Sequence, residues 1–120
     1  MFDKIRLQEK FKLIQEYWTP KIIGELNGQY LKIAKVKGEF VWHNHEHEDE
    51  LFQVLKGELE IQMKEKSIHL KEGELYIVPK GVEHKPIAKV ECWILLIEPK
   101  STKHTGKVKS SLTKEKQSWI

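Results

Sequence analysis

Three of the six histidines fall within five positions, in the run Trp42-His43-Asn44-His45-Glu46-His47-Glu48-Asp49-Glu50. Alternate residues of an extended strand point to one face, so His43 and His45 can aim two imidazoles at one point. His47 joins that face only if the strand runs on, and the acidic stretch 46–49 reads instead as a turn. Glu50 then opens the next strand, on the face it shares with Phe52 and Val54. A further imidazole, His84, follows the corner Pro79-Lys80-Gly81. Neutral imidazoles with one carboxylate suit one divalent transition metal: iron, manganese, nickel, zinc, cobalt or copper. Three nitrogens and one oxygen would leave about two positions open on a six-coordinate ion, for water, dioxygen or a chelating molecule. The competing reading of this cluster is a solvated, acidic loop that holds no metal.

These side chains need a rigid frame, and the chain supplies the pattern of one. Residues 1–20 form an N-terminal helical segment, since Leu7, Phe11, Ile14 and Trp18 share the spacing of one helix face and Pro20 ends it. Residues 21–99 read as short strands. Gln29–Lys37, Glu39–His43, Leu51–Leu55, Leu59–Met63, Ser67–Leu70 and Leu75–Val78 are separated by recurring turn signals, with Gly57 as a hairpin turn. Val90–Ile97 is apolar on both faces, as a central buried strand is. Many short strands at this spacing predict an all-β sandwich or barrel. Residues 100–120 are a Lys-rich tail, expected to be solvated, although Trp119 and Ile120 are odd at a free end.

Composition narrows the class. The chain has 120 residues, enough for one domain, with 39% hydrophobic and 32% charged residues. A net charge of +3 is too small, and the tail too poor in aromatics, to favour nucleic acid as a partner. No apolar run is long enough for a membrane helix. With the lone Cys92 excluding a disulfide framework, these features predict a cytoplasmic protein.

The motifs sharpen the reading. Gly38, His43, His45, Glu50 and Gly57, followed by Gly73, Pro79, Gly81 and His84, closely resemble the two motifs of the cupin superfamily. The phrases Gly-Glu-Phe-Val-Trp-His and Val-Pro-Lys-Gly-Val-Glu-His are similar to the small single-domain "cupin 2, conserved barrel" group, whose members often carry a mannose-6-phosphate isomerase-like label. That label rests on barrel similarity and assigns no substrate. Two positions depart from the pattern. Four residues, not the usual five, separate Gly38 from His43, and Ala88 stands where the second motif ends in asparagine. The resemblance implies a double-stranded β-helix, a jelly-roll barrel, with His43, His45, Glu50 and His84 as metal ligands. It also implies a homodimer, for which the aromatic N-terminal segment and Trp119-Ile120 supply surface.

Other residues have plainer roles. His47 is expected at the mouth, where it touches substrate or solvent. Phe52 and, more weakly, Trp93 are the expected pocket aromatics. His69 is a surface histidine, Cys92 a buried inert thiol, and Trp42 a core or subunit contact. Glu48 and Asp49 are solvated or tune the site from outside the ligand set. His104 lies in a tail turn. Two functions fit: a metal-dependent oxygenase, isomerase or lyase acting on a small chelating organic molecule, or a non-catalytic metal-dependent binding or sensor domain.

Overall fold

The computed structural model describes residues 3–120. A short helix, α1 (Leu7–Phe11), precedes seven antiparallel strands: β1 (Lys21–Leu26), β2 (Gln29–Glu39), β3 (Glu50–Lys56), β4 (Leu59–Met63), β5 (Ser67–Leu70), β6 (Leu75–Val78) and β7 (His84–Pro99). The pairing order β1-β2-β7-β3-β6, with β4 bridging β7 to β5, rolls the sheet into the expected jelly-roll barrel.

The long strand β7 organises the barrel. Its first half pairs with β4, Met63 opposite His84, while its second half lies between β2 and β3. The expected strand Val90–Ile97 is thus the later half of a longer one. Period-two alternation sorts its side chains. Cys92, Ile94, Leu96 and Glu98 are buried with Val36, Phe52, Val54 and Ile61 at the barrel's heart. Trp93 and Leu95 face outward, into a second apolar cluster with Phe11, Ile14, Ile23 and Ile33.

Three expectations need correction. Gly57 is not a hairpin turn, because β3 and β4 do not pair with each other; both lie on β7. Gly57 has φ +86° and sits so close to β7 that a Cβ there would stand 2.8 Å from the Glu91 carbonyl oxygen, which only glycine permits.

The N-terminal face splits. Phe11 and Ile14 cover the outside of the sheet, but the helix stops at Phe11 and the chain turns. Trp18, at φ +56°, drops into the barrel core and stacks on Phe40 at 4.7 Å. Its backbone N–H donates to Lys35 O and its indole to Lys37 O, so β2 takes over the hydrogen bonds a longer helix would have made.

The Lys-rich tail is folded onto the barrel. Ser118 O accepts from Ile22 N–H at 2.8 Å, Ile120 N–H donates to Ile22 O, and Thr105 is fully buried. Its turns between Thr102 and Thr113 are closed by local hydrogen bonds that no apolar periodicity announces.

The outer cluster rests on Phe11, buried and stacked on Trp93 at 4.5 Å. Phe11→Ala is expected to destabilise the protein by about 3 kcal/mol. Urea unfolding measures this; a loss below about 1 kcal/mol would show the N-terminal segment to be a loose attachment.

Candidate metal centre

The site is assembled by backbone pairing at one end of the barrel. After β2 the chain runs extended to His43, which exchanges two backbone hydrogen bonds with His84, at 3.0 and 2.9 Å. This antiparallel bridge sets the two imidazoles side by side, 4.3 Å between centroids and tilted by 49°. Gly81 N–H donates to His45 O at 2.8 Å, so the Pro79–Gly81 corner positions the second histidine. Glu50 enters from the start of β3, opposite Val78. The four residues are buried, and one ligand atom from each lies within 4.8 Å of all the others.

The ring nitrogens are sorted for metal binding. His43 Nδ1 lies 2.9 Å from Val41 O, and His84 Nδ1 2.9 Å from Val82 O. A carbonyl only accepts, so each Nδ1 carries the proton and each Nε2 keeps its lone pair. Burial, then the neighbouring His84, lowers the His43 pKa to about 4, which keeps that ring neutral. Both nitrogens of His45, Glu50 Oε1 and His84 Nε2 are buried without a hydrogen-bond partner. His45 Nε2 approaches Glu50 Oε1 to 3.3 Å, and His84 Nε2 to 3.5 Å. Buried donor atoms without partners are costly unless something else binds them. A divalent cation suits this set of three imidazoles and a carboxylate.

A second carboxyl adjoins the four. Glu98 accepts from Lys32 Nζ at 2.7 Å inside the barrel. Burial and the charge of Glu50 push its carboxyl well above the usual range, against the pull of Lys32. Burial pushes Glu50 upward too, but Glu98, His45 and His84 together hold it well below. The two carboxyls therefore titrate as a coupled pair, with Glu98 pushed up and Glu50 held down. Sequence pattern concealed this pair: Lys32 is a charged residue between the apolar Leu31 and Ile33, and Glu98 lies just beyond the apolar run Val90–Ile97.

The remaining predicted residues separate clearly. Phe52 lines the small cavity beside the metal group, with Trp18, Phe40, His43 and Glu50. That cavity holds about 30 Å³, the share of one water molecule. Trp93 does not reach it: an odd position on β7 turns it outward onto Phe11. His47 stands in solvent on the rim, its nearest charged neighbour Glu46 at 3.8 Å. Glu48 accepts from the Ser101 hydroxyl, and Asp49 accepts from Lys80 N–H at the Pro79 corner. Cys92 is inert, its thiol pushed up to about 12 by burial. Trp42 is half-exposed under the Lys85 amine.

His104 is the residue the sequence did not place. Its ring packs against Phe40 at 5.0 Å and lines the same cavity. Its Nδ1 accepts from Lys114 N–H at 2.8 Å, so the neutral ring carries its proton on Nε2.

Burial holds both His43 and His104 at about 4 in the folded state, against about 6.5 when unfolded. Between these values the unfolded chain binds protons that the folded chain refuses. Stability is therefore full above about pH 6.5 and lost as pH falls toward 4, by roughly 3 kcal/mol per histidine. Urea midpoints of metal-free protein across this range should show the decline, and His104→Gln should flatten it by about half. A variant with the wild-type slope would exclude His104 as a contributor.

The cupin domain family matches residues 30–98 of this chain. The chain is 39% identical over 79 residues to the uncharacterized protein YdbB of Bacillus subtilis, spanning 65% of this chain and 70% of that one. Among solved structures, a cupin-2 domain containing protein from Shewanella frigidimarina is similar at 49% identity and a TM-score of 0.79, covering 80% of this chain and 94% of that one. A protein from Neisseria meningitidis is similar at 32% identity and a TM-score of 0.75, covering 81% and 99%. The matched span runs from β2 to β7 and contains all four grouped residues, His43, His45, Glu50 and His84; on these grounds the chain belongs to the cupin family.

Proposed function

We propose that this cupin holds one divalent transition metal between His43, His45, Glu50 and His84, and that it acts there on a small chelating organic molecule by dioxygenase, isomerase or lyase chemistry. The observation that carries this reading is the set of buried donor atoms converging without hydrogen-bond partners. A bound ion supplies Lewis acidity and open coordination positions. The chain does the rest. His43 and His84 present Nε2 because their Nδ1 protons are committed to backbone carbonyls. Glu50 brings negative charge, and Phe40, Phe52 and Trp18 keep water from the far side. His47, exposed on the rim, is placed for contact with an entering molecule.

The alternative is a non-catalytic, metal-dependent binding or sensor domain. The small cavity favours it, since about 30 Å³ admits little beyond a water unless something moves. A ligand that stabilises the loaded protein and is recovered unchanged would support it over catalysis.

We place the protein in the cytoplasm, where a buried lone thiol suits a reducing setting. No helix among the described residues is long and apolar enough to cross a membrane. Phe11, Ile14 and Trp18 of the N-terminal segment are buried within the chain itself, so we further propose a homodimer formed instead through the outer face of β3, β6 and β7. There Leu51 lies opposite both Ile77 and Ile97, and Leu75 and Ile77 are about half exposed on edge strand β6.

Elemental analysis of untagged protein tests the metal reading. Near-stoichiometric metal is expected in the wild type, with its loss in His45→Ala and His84→Ala; a wild type that stays metal-free after reconstitution would end the proposal. Light scattering tests the dimer: twice the monomer mass is expected for the wild type and the monomer mass for Ile77→Lys. A monomeric wild type at micromolar concentration refutes it.

A further inference from the structure

The Lys-rich segment 100–120 leaves a compartment beneath itself. It is pinned at one end by Lys100 N–H on Gly28 O and by Ser101 on Glu48, and at the other by the Ser118–Ile22 and Ile120–Ile22 backbone bonds. Between these anchors it bows away from β1 and β2 over a cleft of about 730 Å³. This is far larger than the cavity beside the metal group, and His104 lines both. Lys32 also lines the cleft, and its partner Glu98 lines the metal cavity.

The charge around this cleft is one-sided. Six lysines line it, Lys32, Lys100, Lys103, Lys107, Lys109 and Lys114, against the single carboxylate of Glu115. Three of the six are paired: Lys32 with Glu98, Lys100 with Glu25 at 3.2 Å, and Lys107 with Glu46 at 3.0 Å. Among the described residues, no carboxylate lies within 4 Å of the amines of Lys103, Lys109 or Lys114. The Thr102 hydroxyl oxygen is buried in the same wall with no hydrogen-bond partner. Three lysines without a carboxylate partner line one concavity, and their summed charge makes a positive potential that a small anion would relieve.

We propose that this cleft is a binding site for a small polyanion, a molecule carrying phosphate groups or several carboxylates, held by Lys103, Lys109, Lys114 and Thr102. His104 lines both the cleft and the cavity beside the grouped residues, so that polyanion is the charged part of the substrate, a step that rests on the metal reading given above. The cleft supplies the room that the metal cavity lacks.

Calorimetric titration of metal-free protein with pyrophosphate, and separately with citrate, tests the site without involving the metal. One equivalent is expected to bind, more weakly at high salt. Lys109→Gln and Lys114→Gln should each weaken it about tenfold, the value of one charge-assisted contact. Lys71→Gln, on the exposed β5–β6 turn, should leave it unchanged. Binding of pyrophosphate alone assigns the phosphate class, of citrate alone the carboxylate class, and of both a site selective for charge. No binding of either anion, or binding indifferent to Lys109 and Lys114, overturns the proposal. Metal content measured on the same preparations keeps the two readings separable: anion binding in a protein that never takes up metal retains the cleft and discards the metal centre.

Discussion

Four donor atoms that leave water without gaining a hydrogen bond set the terms for this structure. His45 contributes two of them, and Glu50 and His84 one each. Each costs about 1–3 kcal/mol in the absence of a partner. Such a cluster persists only where the surroundings leave it no way to relax, and here every member is fixed through its backbone. His43 and His84 hold each other in a two-residue bridge, Gly81 holds His45, and Glu50 is locked into register opposite Val78. A cation taking one nitrogen of His45, Glu50 Oε1 and His84 Nε2 as ligands would return much of that free energy, and its binding would then be coupled to folding.

Strand β7 makes that arrangement possible. It carries His84 at one end and Glu98 at the other, and both point inward because their separation is even, a parity the irregularity between them preserves. Its outer face carries Trp93 and Leu95 to the N-terminal segment. One strand therefore couples the metal group, the Lys32–Glu98 pair and the outer cluster. A shift of its register by one residue would invert all three at once.

The barrel and the grouped residues were legible because they depend on local, periodic signals. Alternation put His43 and His45 on one face, and the Pro79–Gly81 corner announced the turn before His84. What was not legible depends on partners distant in sequence. Trp93 was misplaced because Val90–Ile97 is apolar on both faces, so residue type does not mark which face lines the barrel. Gly57 looked like a hairpin, and only the close approach of Glu91 shows why glycine stands there. Lys32, Glu98 and His104 came into view only when three separate stretches of chain met. The tail looked solvated because its order comes from hydroxyl and backbone bonds at irregular spacing, such as Thr105 to Thr113.

The attachment of residues 118–120 to Ile22 also has a kinetic side. Strand β1 pairs with β2 through a short turn, so that edge forms early and locally. Its other edge waits for a segment nearly a hundred positions further along the chain, and closing so long a loop is slow. Until it closes, Ile22 shows a bare backbone edge flanked by apolar side chains. That is the surface on which a second unfinished chain adds a strand. A contact that closes over so long a loop thus guards an edge open to strand addition, and conditions that slow its docking should lower the yield of refolded protein before they touch the barrel's equilibrium stability.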